Sequence, residues 1–253
     1  MTVWAFDLDG VVWLAGNDIP GAPEAIAGLR AAGHEVCFAT NFSFAPVAEA
    51  EQKLARIGVD GAGRVITSAM AAASLVAANE TALVVGGPGI DEALLARGAG
   101  VVRDGDGPVD VVVVGYDPEF DYAKLTRATA AIRAGARFVA TNEDPTFPTP
   151  QGLLPGGGSL VAAVAYASGV QPVVAGKPHQ PFADLVRDRY GAEGIMVGDQ
   201  PMTDGRLAVR LGYRFGLVLT GVTGRGDLPV EPVPDLVADD LAALVEIANS
   251  SKH

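Results

Sequence analysis

The chain has 253 residues, 49% of them hydrophobic, and a formal net charge of -12. That length holds one large domain or two small ones with ample core, and the apolar content excludes global disorder. The negative charge argues against nucleic acid or an anionic membrane as partner. A small anionic substrate is still admitted where a metal and a lysine reverse the local sign.

Cys37 is the only cysteine, so an intrachain disulfide is excluded, and its setting Val36-Cys37-Phe38-Ala39 reads as strand core in a reducing compartment. The first residues carry no basic segment followed by an apolar stretch. No apolar run of about twenty residues escapes interruption by Gly, Pro or charge, so a cytoplasmic protein without a spanning helix is expected.

Short β-branched runs alternate with alanine-rich helical stretches, the pattern of βα units on a parallel sheet. In chain order the reading gives a strand at 3–7, then a helix at 22–32 opened near Pro23 and stopped at Gly33. A strand at 35–40, a helix at 45–57, a strand at 64–66 and a helix at 68–78 with Ser68 as N-cap follow. Residues 80–172 read as a unit of their own, with strands at 81–85, 110–114 and 137–141 and helices at 90–97 and 121–134. A Pro- and Gly-rich stretch at 145–158 leads there into a helix at 159–167. Strands at 173–175, 195–198 and 215–219 then alternate with helices at 180–190, 203–211 and 239–248, the last capped by Asp239. The expected fold is α/β: a Rossmann-like three-layer core of 1–79 and 173–253 around a parallel sheet, with 80–172 as a smaller inserted α/β domain. One continuous sheet using all these strands is the alternative.

In open α/β sheets, ligands collect at the carboxyl ends of strands. Strand 3–7 ends in Asp7, with Asp9 and Gly10 just beyond, and strand 35–40 ends in Thr40-Asn41. Strand 173–175 is followed by Gly176-Lys177, and strand 195–198 ends in Gly198-Asp199 with Asp204 a short turn further on. Two carboxylates one residue apart at the mouth of a buried strand repel and are costly to desolvate; a divalent cation offsets both costs. One acid is then free to attack phosphorus and the other to move protons. A hydroxyl, backbone amides and an ammonium hold the phosphoryl oxygens as charge shifts. Hard oxygen ligands select Mg²⁺.

Each piece alone has a plainer reading. An Asp-x-Asp-Gly is commonly a turn, Thr40-Asn41 a strand-to-helix cap, and Lys177 a solvated lysine. Asp199 and Asp204 serve equally as turn and N-cap residues. Gly156 to Gly158 lack the Lys-Ser/Thr of a phosphate-binding P-loop. His34, His179 and the terminal His253 read as ordinary, Trp4 as strand core, and Trp13 as packing or lining an entrance.

Taken together, Asp7-Leu8-Asp9-Gly10-Val11, Thr40-Asn41, Gly176-Lys177-Pro178 and Gly198-Asp199 with Thr203-Asp204 resemble the four motifs of the haloacid dehalogenase superfamily. The likeness is to its class IIA, C2-capped branch of NagD-like, 4-nitrophenylphosphatase-like and phosphoglycolate-phosphatase-type enzymes. The insert carries it too, through Val114-Gly115-Tyr116-Asp117, Tyr122-Ala123-Lys124-Leu125, Ala140-Thr141-Asn142-Glu143-Asp144 and Pro155-Gly156-Gly157-Gly158-Ser159-Leu160. The resemblance implies that Asp7 is the nucleophile and a Mg²⁺ ligand, that Asp9 is the general acid/base with its carbonyl on the metal, and that Asp199 is the third ligand. It further implies that Thr40 and Lys177 hold the phosphoryl group, that Asp204 orients Lys177 or a metal-bound water, and that Asn41 and amides near Gly10 contact substrate. Asn142 and Asp144 would read the leaving group from the cap.

The activity implied is a Mg²⁺-dependent phosphatase acting on a small phosphorylated metabolite through an aspartyl phosphate, with two copies pairing through the cap. A phosphomutase or phosphotransferase on the same scaffold is the enzymatic alternative, and a non-catalytic phosphate- or Mg²⁺-binding regulator the alternative of another class. Phe42, Gln200 and Gly205 depart from the branch's usual residues.

Overall fold

Val3–Phe6 is buried at every position, as a strand with neighbours on both edges and helices over both faces must be. In the computed structural model, which describes residues 2–14, 17–105, 107–149 and 152–250, it is a central strand of a six-stranded sheet. The order is Leu236–Ala238, Arg214–Val218, Gly194–Gly198, Val3–Phe6, Glu35–Thr40, Val65–Thr67. The pairings from Leu236–Ala238 through to Glu35–Thr40 are parallel. Helix Ala22–Ala31 packs on Leu241–Ser250, and Gln180–Tyr190 on Arg206–Leu211, completing a three-layer Rossmann-like unit. The chain leaves Val3–Phe6 toward Glu35–Thr40 on one side and returns through Gly194–Gly198 on the other. That reversal makes a crevice at the strands' carboxyl ends.

By contacts, this first unit takes residues Met1–Thr40, Ala48–Ile66 and Lys177–His253; the second takes Asn41–Val47 and Thr67–Gly176. The second unit therefore includes 41–47 and 67–79, which the sequence reading had placed with the first. His253 lies outside the described residues. The second unit has its own five-stranded sheet, ordered Val173–Val174, Arg137–Ala140, Val111–Val114, Thr81–Val85, Gly100–Val102, parallel throughout. Helices Tyr122–Arg133 and Gly157–Ser168 pack on each other, and Leu83, Val112, Val114, Ile132, Phe138 and Val164 form the core between them and the sheet.

Several sequence expectations need correction. The strand expected at 173–175 is an edge strand of the second unit's sheet, not part of the first. A short apolar run signals a strand but not which sheet receives it, and Val173 is 56% exposed, as an edge allows. Thr67, not Ser68, caps the helix Ser68–Ala73, its side chain accepting from the Met70 amide. Asp240, not Asp239, accepts from the Ala243 amide at the start of Leu241–Ser250. The helix expected at 203–211 begins instead as a wide turn, Pro201–Gly205, before Arg206–Leu211. The Pro- and Gly-rich stretch holds an antiparallel pair, Thr146–Thr149 with Gly152–Pro155, and the glycines open the helix Gly157–Ser168 two residues earlier than its sequence start. Among the described residues no helix is long and apolar enough to cross a membrane.

Candidate active site

In the first unit, Asp7 and Asp199 follow directly on adjacent strands: Phe6 is level with Val197, and the Asp7 amide continues the ladder to the Val197 carbonyl at 2.9 Å. The wide turn after Gln200 brings Asp204 back toward the same rim. Its amide donates to the Gln200 carbonyl at 2.8 Å, and its Oδ2 accepts from the Gln200 amide at 3.2 Å. Lys177 Nζ lies 2.7 Å from Asp7 Oδ1 and 2.7 Å from Asp204 Oδ1. Lys177 is 3% exposed and Asp204 0%, whereas Asp7 keeps 13% of its side chain open to solvent. The lysine therefore sits below the rim as a buried counter-charge while Asp7 remains reachable.

Asp199 is oriented by a segment the sequence reading did not single out. Its Oδ2 accepts from the Val222 amide at 2.6 Å, and Thr220 Oγ1 donates to the Gly10 carbonyl. Gly10, at φ +84°, and Gly221 both press on this carboxylate; a Cβ would meet Asp199 Oδ2 at 2.5 Å and 2.0 Å respectively. The strand-end rule already in use could have found the segment, since Arg214–Val218 runs out into Leu219-Thr220-Gly221.

The electrostatics follow from burial. Desolvation raises the Asp7 pKa well above the carboxylate range; Lys177 opposes this, and Asp204, Asp199 and Asp9 add to it. Burial, with Asp204's charge, pushes Asp199 up to about 7 against the pull of the Val222 amide and Lys177. Desolvation alone would lower the Lys177 pKa, but Asp204 and Asp7 outweigh it and hold the ammonium above its ordinary value.

One oxygen of each of Asp7, Asp199 and Asp204 lies within 4.8 Å of the others, and Asp199 Oδ1 is buried with no hydrogen-bond partner. An orphaned carboxylate oxygen beside a second desolvated carboxylate fits a hard divalent cation such as Mg²⁺. Both Asp204 oxygens already accept hydrogen bonds, so Asp7 and Asp199 are the side chains suited to hold the ion.

Asp9 stands at the solvent side of this rim. Its Oδ1 accepts from Trp13 Nε1 at 2.9 Å, and Lys53 Nζ lies 3.7 Å from the centroid of the Trp13 ring. Desolvation by the surrounding chain raises the Asp9 pKa, opposed by Lys53, the indole hydrogen bond and Lys177. Thr40, 3% exposed, ends the strand beside Val3–Phe6.

The remaining sequence-predicted residues meet in the second unit. Asn41 Nδ2 donates to Asp144 Oδ2 at 3.0 Å, Asn142 Nδ2 to the Asn41 carbonyl at 2.8 Å, and the Asp144 amide to Asn142 Oδ1 at 3.2 Å. Ser68 Oγ also donates to the Asn41 carbonyl, at 2.6 Å.

Of the unusual residues, Gln200 acts here through its backbone, so its side-chain identity leaves the Asp204 turn intact. Gly205 has a steric reason: a Cβ there would come within 2.8 Å of Phe215 and Pro232. Phe42 is 48% exposed beside Phe44. Trp4 and Cys37 are core, as expected, and the Cys37 thiol is pushed up to about 12 by burial. His34 accepts from the Thr2 amide, and His179 precedes the helix Gln180–Tyr190 as its N-cap.

The chain is similar to known proteins over most of its length. Residues 4–100 match the family described as haloacid dehalogenase-like hydrolase, and residues 174–244 a second described as HAD-hydrolase-like. The chain is 35% identical over 238 residues to the acid sugar phosphatase of Staphylococcus saprophyticus, covering 91% of each chain. It is 37% identical over 269 residues to chronophin of Rattus norvegicus, covering 95% of this chain and 86% of that one. Among solved structures, glycerol phosphate phosphatase from Mycobacterium tuberculosis in complex with magnesium superposes with a TM-score of 0.89 at 34% identity, over 97% of this chain and 77% of that one.

Proposed function

The chain belongs to the haloacid dehalogenase-like hydrolase family, and we propose that it is a Mg²⁺-dependent phosphatase whose nucleophile is Asp7 and whose substrate is a small phosphorylated metabolite. The observation that carries the reading is Lys177, buried and shared between Asp7 and Asp204 beside the orphaned Asp199 oxygen. A solvated lysine or a turn aspartate would have no reason to accept that desolvation.

In this reading an Asp7 oxygen attacks phosphorus while Asp9 gives its proton to the departing oxygen, leaving an aspartyl phosphate on Asp7. Asp9, now a carboxylate, takes a proton from the water that attacks phosphorus and frees Asp7. Lys177 holds a phosphoryl oxygen and balances Asp7, Asp204 keeps Lys177 in place, and Thr40 and the amides near Gly10 bind the remaining oxygens. Asp7, Asp199 and the Asp9 carbonyl would hold Mg²⁺, which when bound offsets the repulsion of the carboxylates and of the phosphoryl charge. Asn142 and Asp144 of the second unit are the candidates for specificity and Asn41 for substrate or phosphate binding, a reading supported by the hydrogen bonds that join the three.

The net charge supports a small-molecule substrate over nucleic acid or anionic membrane, and the lone buried Cys37 supports a cytoplasmic location. Exposed Leu153 and Leu154 support pairing of two copies through the second unit.

The test is phosphate release from a panel of small phosphate esters, with Mg²⁺ and with chelator, for wild type and Asp7→Asn. Release should require Mg²⁺ and fall by about 10³-fold or more in the variant. An Asp7→Asn enzyme as active as wild type would remove the nucleophile.

A further inference from the structure

Two side chains beside Asp9 have no part in the chemistry described so far. Trp13 is 4% exposed, and its backbone is locked into the loop that carries Asp9. Its amide donates to the Leu8 carbonyl at 3.1 Å, its carbonyl accepts from the Gly10 amide at 2.7 Å, and the residue pairs with Asp18 on the following strand. From that fixed backbone the indole N–H reaches Asp9 Oδ1 at 2.9 Å. Lys53, half-buried on the helix Val47–Arg56, sets its ammonium 3.7 Å from the centroid of the same ring.

A buried tryptophan needs no catalytic reason to exist, and its N–H commonly finds some acceptor. The companion tryptophan shows that this fold does not enforce one: Trp4 Nε1 is buried with no partner. The Trp13 N–H therefore stands out for the acceptor it takes, a carboxylate oxygen two residues beyond Asp7. An exposed aspartate on a loop otherwise samples several rotamers, and one strong donor restricts it to few.

We propose that Trp13 is the positioning residue for Asp9: its indole N–H fixes Oδ1, so that Oδ2 is the oxygen that exchanges the proton, and Lys53 steadies the indole through the cation–ring contact. This rests on the acid role of Asp9 proposed above. In the step concerned, the bond from Asp7 to phosphorus forms, the bond from phosphorus to the leaving oxygen breaks, and the proton on Asp9 Oδ2 passes to that oxygen.

The leaving group distinguishes positioning from mere packing. An alkoxide needs the proton as it departs, whereas 4-nitrophenolate is stable without it. Measuring kcat/KM confines the readout to steps up to and including departure of the leaving group. The ratio of kcat/KM for 4-nitrophenyl phosphate to that for an alkyl ester, glycerol phosphate, also cancels any loss of folded enzyme, since both are measured on one preparation. In the Mg²⁺-loaded enzyme, Trp13→Phe keeps the ring but removes the N–H. It should lower kcat/KM for glycerol phosphate about tenfold and for 4-nitrophenyl phosphate about twofold or less. Lys53→Met should move the ratio in the same direction by about threefold, and it serves as the independent arm if Trp13→Phe folds too poorly to assay.

Asp9→Asn is the control for the reading beneath. It should spare 4-nitrophenyl phosphate relative to glycerol phosphate by about 10²-fold or more. An Asp9→Asn that spares the aryl ester beside a Trp13→Phe that lowers both esters equally overturns the positioning role and leaves Asp9 as the acid. An Asp9→Asn that lowers both equally overturns the acid role itself. An unchanged ratio in Lys53→Met removes Lys53 from the device and, where Trp13→Phe cannot be assayed, overturns the positioning role.

Discussion

The acid cluster of the first unit and the amide cluster of the second are both polar groups gathered by strand ends and turns, but they are held together differently. Asp7, Lys177 and Asp204 are joined by charge-assisted bonds of 2.7 Å, and Lys177 and Asp204 are almost fully removed from water. Asn41, Asn142 and Asp144 are joined by amide bonds of 2.8 to 3.2 Å, two of which use backbone atoms. Asp144 and Asn41 are only half-buried. Buried paired charges resist change, because removing one strands the others. Amide contacts on loops can be exchanged at modest cost. The contrast separates a region that holds fixed charge from one whose polar contacts can be changed at modest cost.

The largest expected effect comes from Lys177→Met. The substitution keeps the side chain's length but leaves Asp7 and Asp204 without their shared cation. Stability should fall by about 3–5 kcal/mol, the usual result of breaking a buried pair, and phosphate release should fall to background. Urea unfolding with chelator present isolates the stability effect. A loss below about 1 kcal/mol would mean that the cluster is as forgiving as surface ion pairs are, and the contrast between the two regions would collapse.

A second, smaller effect is in the pH dependence of stability. Asp7 and Asp199 have pKa values raised in the folded state, Asp199 to about 7. Between the ordinary carboxylate pKa of about 4 and this raised value, the folded chain binds more protons than the unfolded one. The stability Asp199 contributes is therefore fully present below about pH 4 and lost as pH rises through about 7, and Asp7, raised in the same direction, adds to the same slope. Mg²⁺ binds the deprotonated carboxylates, so its stabilisation should be slight near about pH 5 and grow toward about pH 8. Thermal unfolding with Mg²⁺ or chelator across this range checks both slopes. A Mg²⁺ gain that is constant with pH would exclude Asp7 and Asp199 as its ligands.

The sequence made the acid cluster legible because parallel βα units deliver strand ends to one rim, and Asp7, Asp199 and Asp204 sit at such ends. Lys177 was found by the same rule on a mistaken premise. The preceding strand belongs to the other sheet, and the lysine reaches the rim through the chain that returns from it. Thr220 to Val222 stayed hidden because backbone amides and small residues carry no chemical signature of their own. Trp13 was singled out as packing or lining an entrance, but its contact with Lys53 stayed hidden because it joins a helix to a loop forty residues earlier, which periodicity does not register. The alternation of strands and helices gave both sheets, while edge strands such as Gly100–Val102 and Gly152–Pro155 are too short or too rich in Gly and Pro to stand out.

The amide cluster gives the smallest and most selective prediction. Asp144→Ala removes the acceptor of the Asn41 side chain but leaves the Asn142 bond to the Asn41 carbonyl, so the unit should lose only about 1 kcal/mol of stability. If this cluster reads the leaving group, kcat/KM should change unevenly across a panel of esters, by up to about tenfold for those with hydroxyls to bind and little for 4-nitrophenyl phosphate. A defect at Asp7 or Lys177 instead slows every ester through the shared nucleophile, and one at Asp9 or Trp13 slows all alkyl esters by a common factor relative to the aryl ester. An Asp144→Ala enzyme that slows all esters by one factor would place this residue with the charge machinery. A profile that is uneven among the alkyl esters themselves, on an intact rate for the aryl ester, would keep recognition and reaction in separate parts of the chain.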